Sequence, residues 1–271
     1  MTELRKVEPV LQVESTLRAA RDAGRKLLVP YVTGGLAPDW CDVVAAVAAA
    51  GADAIEVGIP FSDPVMDGPI IQEASTRALA AGTTPASVVS ALGDVDAGIP
   101  LVVMTYYNVI FRGGHRRFAR SLVEHGVAGA IVPDLPLDEF GDWGRAADDA
   151  GVETILLAAP TTPDDRLVEI CARSRGWVYG VGLMGVTGER ASLAASAMTM
   201  AKRLKAVTDL PVLIGVGVST PDQAVEASAE ADGVIVGSAL VRRLLDGGGP
   251  DAAASFVGEL RAALDSVGTS A

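Results

Sequence analysis

No lysine- or arginine-rich run occurs anywhere in the chain, and the formal net charge is −12 at pH 7. A nucleic-acid backbone needs a clustered positive footprint and an anionic membrane surface repels a chain of this sign, so both partner classes are excluded. Long apolar runs are also missing. None approaches the roughly 18 residues that span a bilayer, and residues 1–24 alternate charged with apolar positions where a signal peptide would be continuously apolar. These absences predict a soluble, unprocessed, cytoplasmic chain. The two cysteines, Cys41 and Cys171, fall at apolar phase in helix-like segments. They read as small buried hydrophobes, so the chain is expected to fold without covalent staples in a reducing compartment.

Several catalytic chemistries lack their residues. None of the four lysines, Lys6, Lys26, Lys202 and Lys205, falls at the C-terminal end of a predicted strand, where an imine-forming amine would be needed. The two histidines, His115 and His125, lie ten positions apart on one expected helix, a spacing that builds no zinc cluster, and both read as surface residues. No dinucleotide or triphosphate glycine fingerprint follows any strand, so no nucleotide cofactor is implied.

What is present is repetition. Short β-branched runs alternate with longer Ala-rich segments of helical period, the pattern of βα units around a parallel sheet. Eight strands are expected, at Leu27–Val32, Ala54–Gly58, Leu101–Met104, Gly129–Val132, Thr154–Ala158, Trp177–Val181, Val212–Gly215 and Gly233–Val236. The junctions beginning at Ala50, His125 and Ala150 share a helix-ending glycine followed by a buried strand. A doubly wound open sheet would show similar junctions, but eight units in 271 residues favour closure. The expectation is an α/β fold over residues 1–271, a single (β/α)8 TIM barrel with an extra N-terminal helix, residues 13–23, capping the barrel bottom.

In such barrels chemistry gathers at the C-terminal ends of the strands. The second strand places Glu56 between Ile55 and Val57, and the loop beyond it carries Asp63 and Asp67 among prolines. A barrel-facing glutamate must be paired, hydrogen-bonded or protonated, and protonation by desolvation makes a general acid–base group near neutral pH. Glu56 is therefore the leading catalytic candidate; its alternative is a glutamate satisfied by an arginine or by backbone amides. Asp67 sits in a stiff loop over the barrel mouth, although turn-capping would equally explain either loop aspartate. Glycines recur after three successive strands, in Gly185-Val186-Thr187-Gly188, Gly215-Val216-Gly217 and Gly237-Ser238. Each pair alone is what any turn needs. Together they form a rim of backbone N–H groups, with a helix N-terminus at Ser238, suited to phosphate. The residues alone point to a cofactor-independent, phosphate-anchored lyase or isomerase, with proton transfer by Glu56 and Asp67 as a second carboxylate.

The run Ile55-Glu56-Val57-Gly58-Ile59-Pro60-Phe61-Ser62-Asp63-Pro64 with Asp67-Gly68-Pro69, joined by Gly185-Val186-Thr187-Gly188 and Val236-Gly237-Ser238-Ala239, resembles the α-subunit family of tryptophan synthase. The likeness extends through Val29-Pro30-Tyr31-Val32-Thr33, Met104-Thr105-Tyr106-Tyr107-Asn108 and Pro133-Asp134-Leu135-Pro136, covering nearly the whole chain. It implies retro-aldol cleavage of indole-3-glycerol phosphate to indole and glyceraldehyde 3-phosphate. Glu56 would then protonate the indole ring and Asp67 hold its N–H. By the same resemblance Tyr31, Tyr106, Leu157, Tyr179 and Thr187 fall at substrate-binding positions, and Gly188, Gly217, Gly237 and Ser238 at phosphate-binding ones. Asp63 falls at a contact with a β subunit. No cofactor is implied on this chain; pyridoxal phosphate would belong to the β partner of an α2β2 tetramer, which receives the indole. Val216 departs from the phenylalanine common in the family beside the phosphate glycines, and Val65-Met66 and Leu183-Met184 differ in detail. Two other roles fit the same residues: a free-standing indole-3-glycerol phosphate lyase, or a weakly catalytic ligand-binding activator of a β chain.

Overall fold

The computed structural model describes residues 11–182 and 190–268. Eight parallel strands close in sequence order, with β1 (Leu27–Thr33) pairing β8 (Gly233–Val236). Between them stand β2 (Ile55–Gly58), β3 (Leu101–Met104), β4 (Val127–Ile131), β5 (Glu153–Ala158), β6 (Val178–Val181) and β7 (Val212–Gly215). The helices described are α1 (Val13–Asp22), α2 (Trp40–Ala49), α3 (Pro69–Ala80), α4 (Pro85–Leu92), α5 (Tyr107–Gly113), α6 (His115–Glu124), α7 (Gly141–Ala150), α8 (Asp164–Arg173), α9 (Arg190–Lys205), α10 (Pro221–Ala227), α11 (Ser238–Leu245) and α12 (Gly249–Gly268). The eightfold barrel expected from the sequence is the observed fold, and no helix among the described residues is long and apolar enough to cross a membrane.

Strand periodicity divides the core in two. Residues such as Leu28, Ile55, Val57, Val103 and Ile214 face the helices and join their buried faces, while Val29, Val102, Ile131, Ile155, Leu213 and Ile235 fill the barrel. Val13 and Leu17 of α1 are fully buried and belong to this inner cluster with Leu27, Ala54 and Trp177. The junction glycines Gly51, Gly126 and Gly151 all have positive φ (105°, 74° and 79°), as a left-handed helix terminus requires.

β1, β2, β5 and β6 differ from their expected bounds by one residue at one end, and β4 departs further. β4 begins at Val127, two residues before the expected start at Gly129, and ends at Ile131. Its register against β3 shifts, with Leu101 opposite Val127 but Val102 opposite Gly129, so Ala128 is an inserted residue. A bulge of this kind interrupts the period of two that the sequence reading relied on. Its structural result is that Ala128 and Ile131 both face the barrel interior.

The junctions also carry carboxylates whose role was not visible in the sequence. Asp53, two residues before β2, is 7% exposed; its Oδ2 accepts the Leu28 N–H at 2.8 Å and lies 3.3 Å from Arg261, and its Oδ1 lies 2.6 Å from Arg25. Asp232 holds the equivalent place before β8, accepting from Val212 N–H at 2.8 Å and Lys205 at 2.6 Å. Glu153, at the same point in β5, accepts the free N–H groups of Val13 and Glu14 that open α1. Removing one partner of a buried, hydrogen-bonded ion pair leaves the other charge uncompensated. Asp53→Ala is therefore expected to lower stability by about 3 kcal/mol or more, measured by urea unfolding; a loss within about 0.5 kcal/mol, the range of a neutral surface change, would contradict this account.

Candidate active site

The layer above the filled interior is where the barrel opens. Two positions beyond each core residue, the inward side chains are Tyr31 on β1, Met104 on β3, Pro133 after β4, Leu157 on β5 and Tyr179 on β6, but β7 and β8 offer only Gly215 and Gly237. The missing bulk on that side helps leave a cavity of about 370 Å³, within the range of small-molecule sites. Glu56, Asp67, Gly217 and Ser238 line it together with these residues. Among the described residues that line it there is no lysine or arginine.

Glu56 is 1% exposed and its Oε2 has no hydrogen-bond partner, so neither an arginine nor a backbone amide satisfies that oxygen. Burial, reinforced by the nearby charge of Asp67, pushes its pKa up to about 8. Asp67 is less enclosed. It is also raised by burial, opposed by a hydrogen bond from the Tyr106 hydroxyl. It lies just before Gly68 and Pro69, which open α3, where the helix dipole favours a negative charge. The two carboxyl groups thus differ in their surroundings, Glu56 being fully enclosed with an unpartnered oxygen and Asp67 less enclosed at a helix N-terminus, an arrangement suited to an acid and an electrostatic partner.

Two of the four tyrosines lean across the top of the barrel onto glycines of the neighbouring strand. A Cβ on Gly58 would meet the Tyr31 hydroxyl at 1.8 Å, and one on Gly215 would meet the Tyr179 ring at 2.8 Å. Tyr31 also lies 3.5 Å from the place a Gly237 Cβ would occupy, so its ring bridges the glycine rim and the strand of Glu56. Tyr31 is buried and Tyr179 half-buried, and desolvation raises the pKa values of both phenols. Tyr106 stands behind Asp67 rather than among the residues lining the cavity.

Two of the three glycine groups, those after β7 and β8, stand side by side at the cavity. Gly217 adopts φ +72°, and Gly237 precedes α11, whose first turn, beginning at Ser238, has no side-chain cap. Its leading N–H groups are available to an anion. Val216 packs at the edge of the outer core, and a Cβ on Gly182 would meet it at 2.9 Å. Thr187 and Gly188, with the rest of 183–189, lie outside the described residues. Asp63 is exposed and bonded to Ser62 at 2.5 Å, on the solvent side of the loop that carries Asp67. The histidines are half-buried rather than free on the surface, His115 bonded to the Tyr107 hydroxyl at 3.0 Å and His125 to the Ser121 carbonyl at 2.8 Å. Sequence reasoning did not find Met104, Pro133 or Gly182 in the lining; the signal was available, since two of them stand two positions above the inward residues Val102 and Ile131.

The sequence profile described as tryptophan synthase alpha chain matches residues 17–261. The tryptophan synthase alpha chain of Streptomyces coelicolor is 46% identical over 258 residues, covering 93% of this chain and 94% of that protein. That of Halorhodospira halophila is 42% identical, covering 95% and 98%. Among solved structures, a tryptophan synthase from M. tuberculosis superposes with a TM-score of 0.86 at 38% identity, covering 93% of this chain and 97% of that one. The tryptophan synthase subunit alpha of Legionella pneumophila gives 0.85 at 31% identity, covering 94% and 98%.

Glu56 binds its proton more tightly in the folded state than in the unfolded chain. Its contribution to stability is complete below about pH 4.5 and is lost as pH rises through about 8. Relative to Glu56→Gln, which stays neutral, the parent chain should therefore lose stability between pH 5 and 9, by on the order of 4 kcal/mol. Denaturant titrations of both proteins across this range measure it, and a stability difference independent of pH would show that Glu56 is ionised in the folded state.

Proposed function

Because the chain belongs to the tryptophan synthase alpha chain family, we propose that this cavity carries out the family's lyase reaction, with Glu56 and Asp67 as its two working carboxyl groups. The reaction cleaves indole-3-glycerol phosphate to indole and glyceraldehyde 3-phosphate. The observation that carries the residue assignment is a fully buried glutamate with an unpartnered oxygen, sharing one cavity with a second carboxylate and a rim of glycine backbone.

The substrate phosphate would take the backbone N–H groups at Gly217, Gly237 and Ser238; Thr187 and Gly188, outside the described residues, are assigned to the ligand by the family resemblance alone. An acidic protein with no cation among the described lining residues must hold such an anion through backbone dipoles. The indole ring would lie against Leu157 and Tyr179, with Tyr31 beside the glycerol linker. Glu56, protonated near neutral pH, delivers its proton to the ring carbon bearing the side chain. The ring nitrogen becomes positive, and the Asp67 carboxylate stabilises that charge through the N–H. The carbon–carbon bond then breaks: its electron pair returns to the ring, and the adjacent hydroxyl becomes the aldehyde as its proton passes back to Glu56. Each step is accounted for by these two carboxyl groups.

The whole chain, 1–271, would work as one domain in which α1 plugs the barrel bottom. The family name denotes one chain of a two-component enzyme, and we assign the partner as a β subunit carrying pyridoxal phosphate in an α2β2 assembly. Asp63, with Val65 at 79% and Met66 at 48% exposure on the same loop, is the surface it would meet. The cytoplasm is the compartment consistent with this role.

The decisive experiment is indole release from indole-3-glycerol phosphate by the purified chain, with and without a tryptophan synthase β subunit. Slow release that rises sharply with β is expected. Fast release indifferent to β would identify a free-standing lyase, and none in either condition would refute the lyase assignment. Glu56→Gln should retain binding of indolepropanol phosphate while kcat falls by at least 100-fold.

A further inference from the structure

The helices outside the barrel do not pack evenly. α6 packs closely on α7 but meets α4 only loosely, and the short helix α5 ends at Gly113 and turns through Gly114 (φ +82°) before α6 begins. The gap between α4, α5 and α6 is a cleft of about 600 Å³, within the range of small-molecule sites. It shares no lining residue with the cavity of Glu56. Pro85, Val89, Val109 and Phe118 give it an apolar floor, and Arg112 and Arg117, both exposed, line its solvent side. No carboxylate is among the described residues that line it.

These two arginines belong to a group set apart by its contacts. Among the arginines whose side chains are described, Arg112, Arg116, Arg117 and Arg120 make no ion pair, hydrogen bond or ring contact, while every other one holds a carboxylate, a carbonyl oxygen or an aromatic ring. All four are exposed and fall within residues 112–120, in a chain whose net charge is −12. α6 also opens with His115, Arg116 and Arg117 and has no acid in its first turn, where the helix dipole favours negative charge. Positive side chains gathered there are unfavourable unless an anion offsets them. Asp142 and Asp149 of α7 line a different cleft, on the other side of α6, with Arg116 and Arg145; Arg117 borders both clefts. With acids on that side, the basic group is too small for a polyanion and suits a single anionic head group.

We propose that the cleft between α4, α5 and α6 is a second ligand site, taking a small carboxylate with an apolar or aromatic body. Arg112 and Arg117 hold the head group, and the body lies on Val89, Val109 and Phe118. Guanidinium groups pair with carboxylate oxygens through a planar fork of two hydrogen bonds, and the apolar floor favours an organic anion over an inorganic one. The site is independent of the lyase assignment.

The test uses the full chain with 3-phenylpropionate as the probe, 3-phenylpropanol as its neutral counterpart and acetate as the head group without a body. Binding is followed by the methyl NMR signals of Val89 and Val109. Saturable shifts of both signals are expected with 3-phenylpropionate, with affinity at least about 10-fold weaker for either counterpart and reduced by high salt. Arg112→Gln combined with Arg117→Gln changes only exposed, unpaired side chains, so the urea midpoint should stay in place while affinity falls by about 10-fold or more. Val109→Trp fills the cleft with both arginines in place and should abolish binding. The absence of saturable shifts, shifts confined to residues of the Glu56 cavity, equal affinity for the alcohol, or undiminished binding in either variant would each overturn the proposal.

Discussion

A carboxyl group enclosed in a protein interior must find a cation, a set of donors or a proton, because burying it as a bare anion costs several kcal/mol. The two ends of this barrel resolve that requirement in opposite ways. At the N-terminal end Asp53, Asp232 and Glu153 meet arginine, lysine and backbone N–H groups, and each ties one strand or helix to its neighbour. At the C-terminal end Glu56 has an oxygen without a partner and faces another acid. The lower carboxylates hold the fold together, whereas the upper one is kept protonated, and the cavity forms around that difference.

Much of this was legible in the sequence because period two in a parallel strand assigns faces without further information. Glu56 between Ile55 and Val57 had to point into the barrel if its neighbours pointed out, and the structure places them so. Glycines after β7 and β8 could be read as a rim because closure brings consecutive strand ends together. What stayed hidden depends on register and distance. The insertion at Ala128 shifts β4 by one residue against β3, and nothing local announces it. Asp53 and Arg261 meet across more than 200 positions of chain, and Tyr106 reaches Met66 only because β2 and β3 are adjacent. Side-chain pairing between elements leaves no periodic signal.

The loop after β2 combines two environments within a few residues. Asp63 and Val65 face solvent, while Asp67 turns toward the cavity and its backbone neighbour Met66 is held by Tyr106. The loop thus joins an exposed face to the cavity within a few residues, through the Met66 N–H that the Tyr106 hydroxyl accepts.

The seat that Gly58 provides for Tyr31 restricts how this site can diverge. The phenol occupies the space a methyl group would need, with its oxygen 1.8 Å from that position. A side chain at Gly58 would therefore require the Tyr31 ring to move, into the cavity or back against the Gly237 side. The reverse order is open: a smaller residue at position 31 leaves Gly58 harmless and only then allows it to change. Changes at this pair are therefore ordered, the tyrosine giving way before the glycine can gain a side chain without displacing the ring.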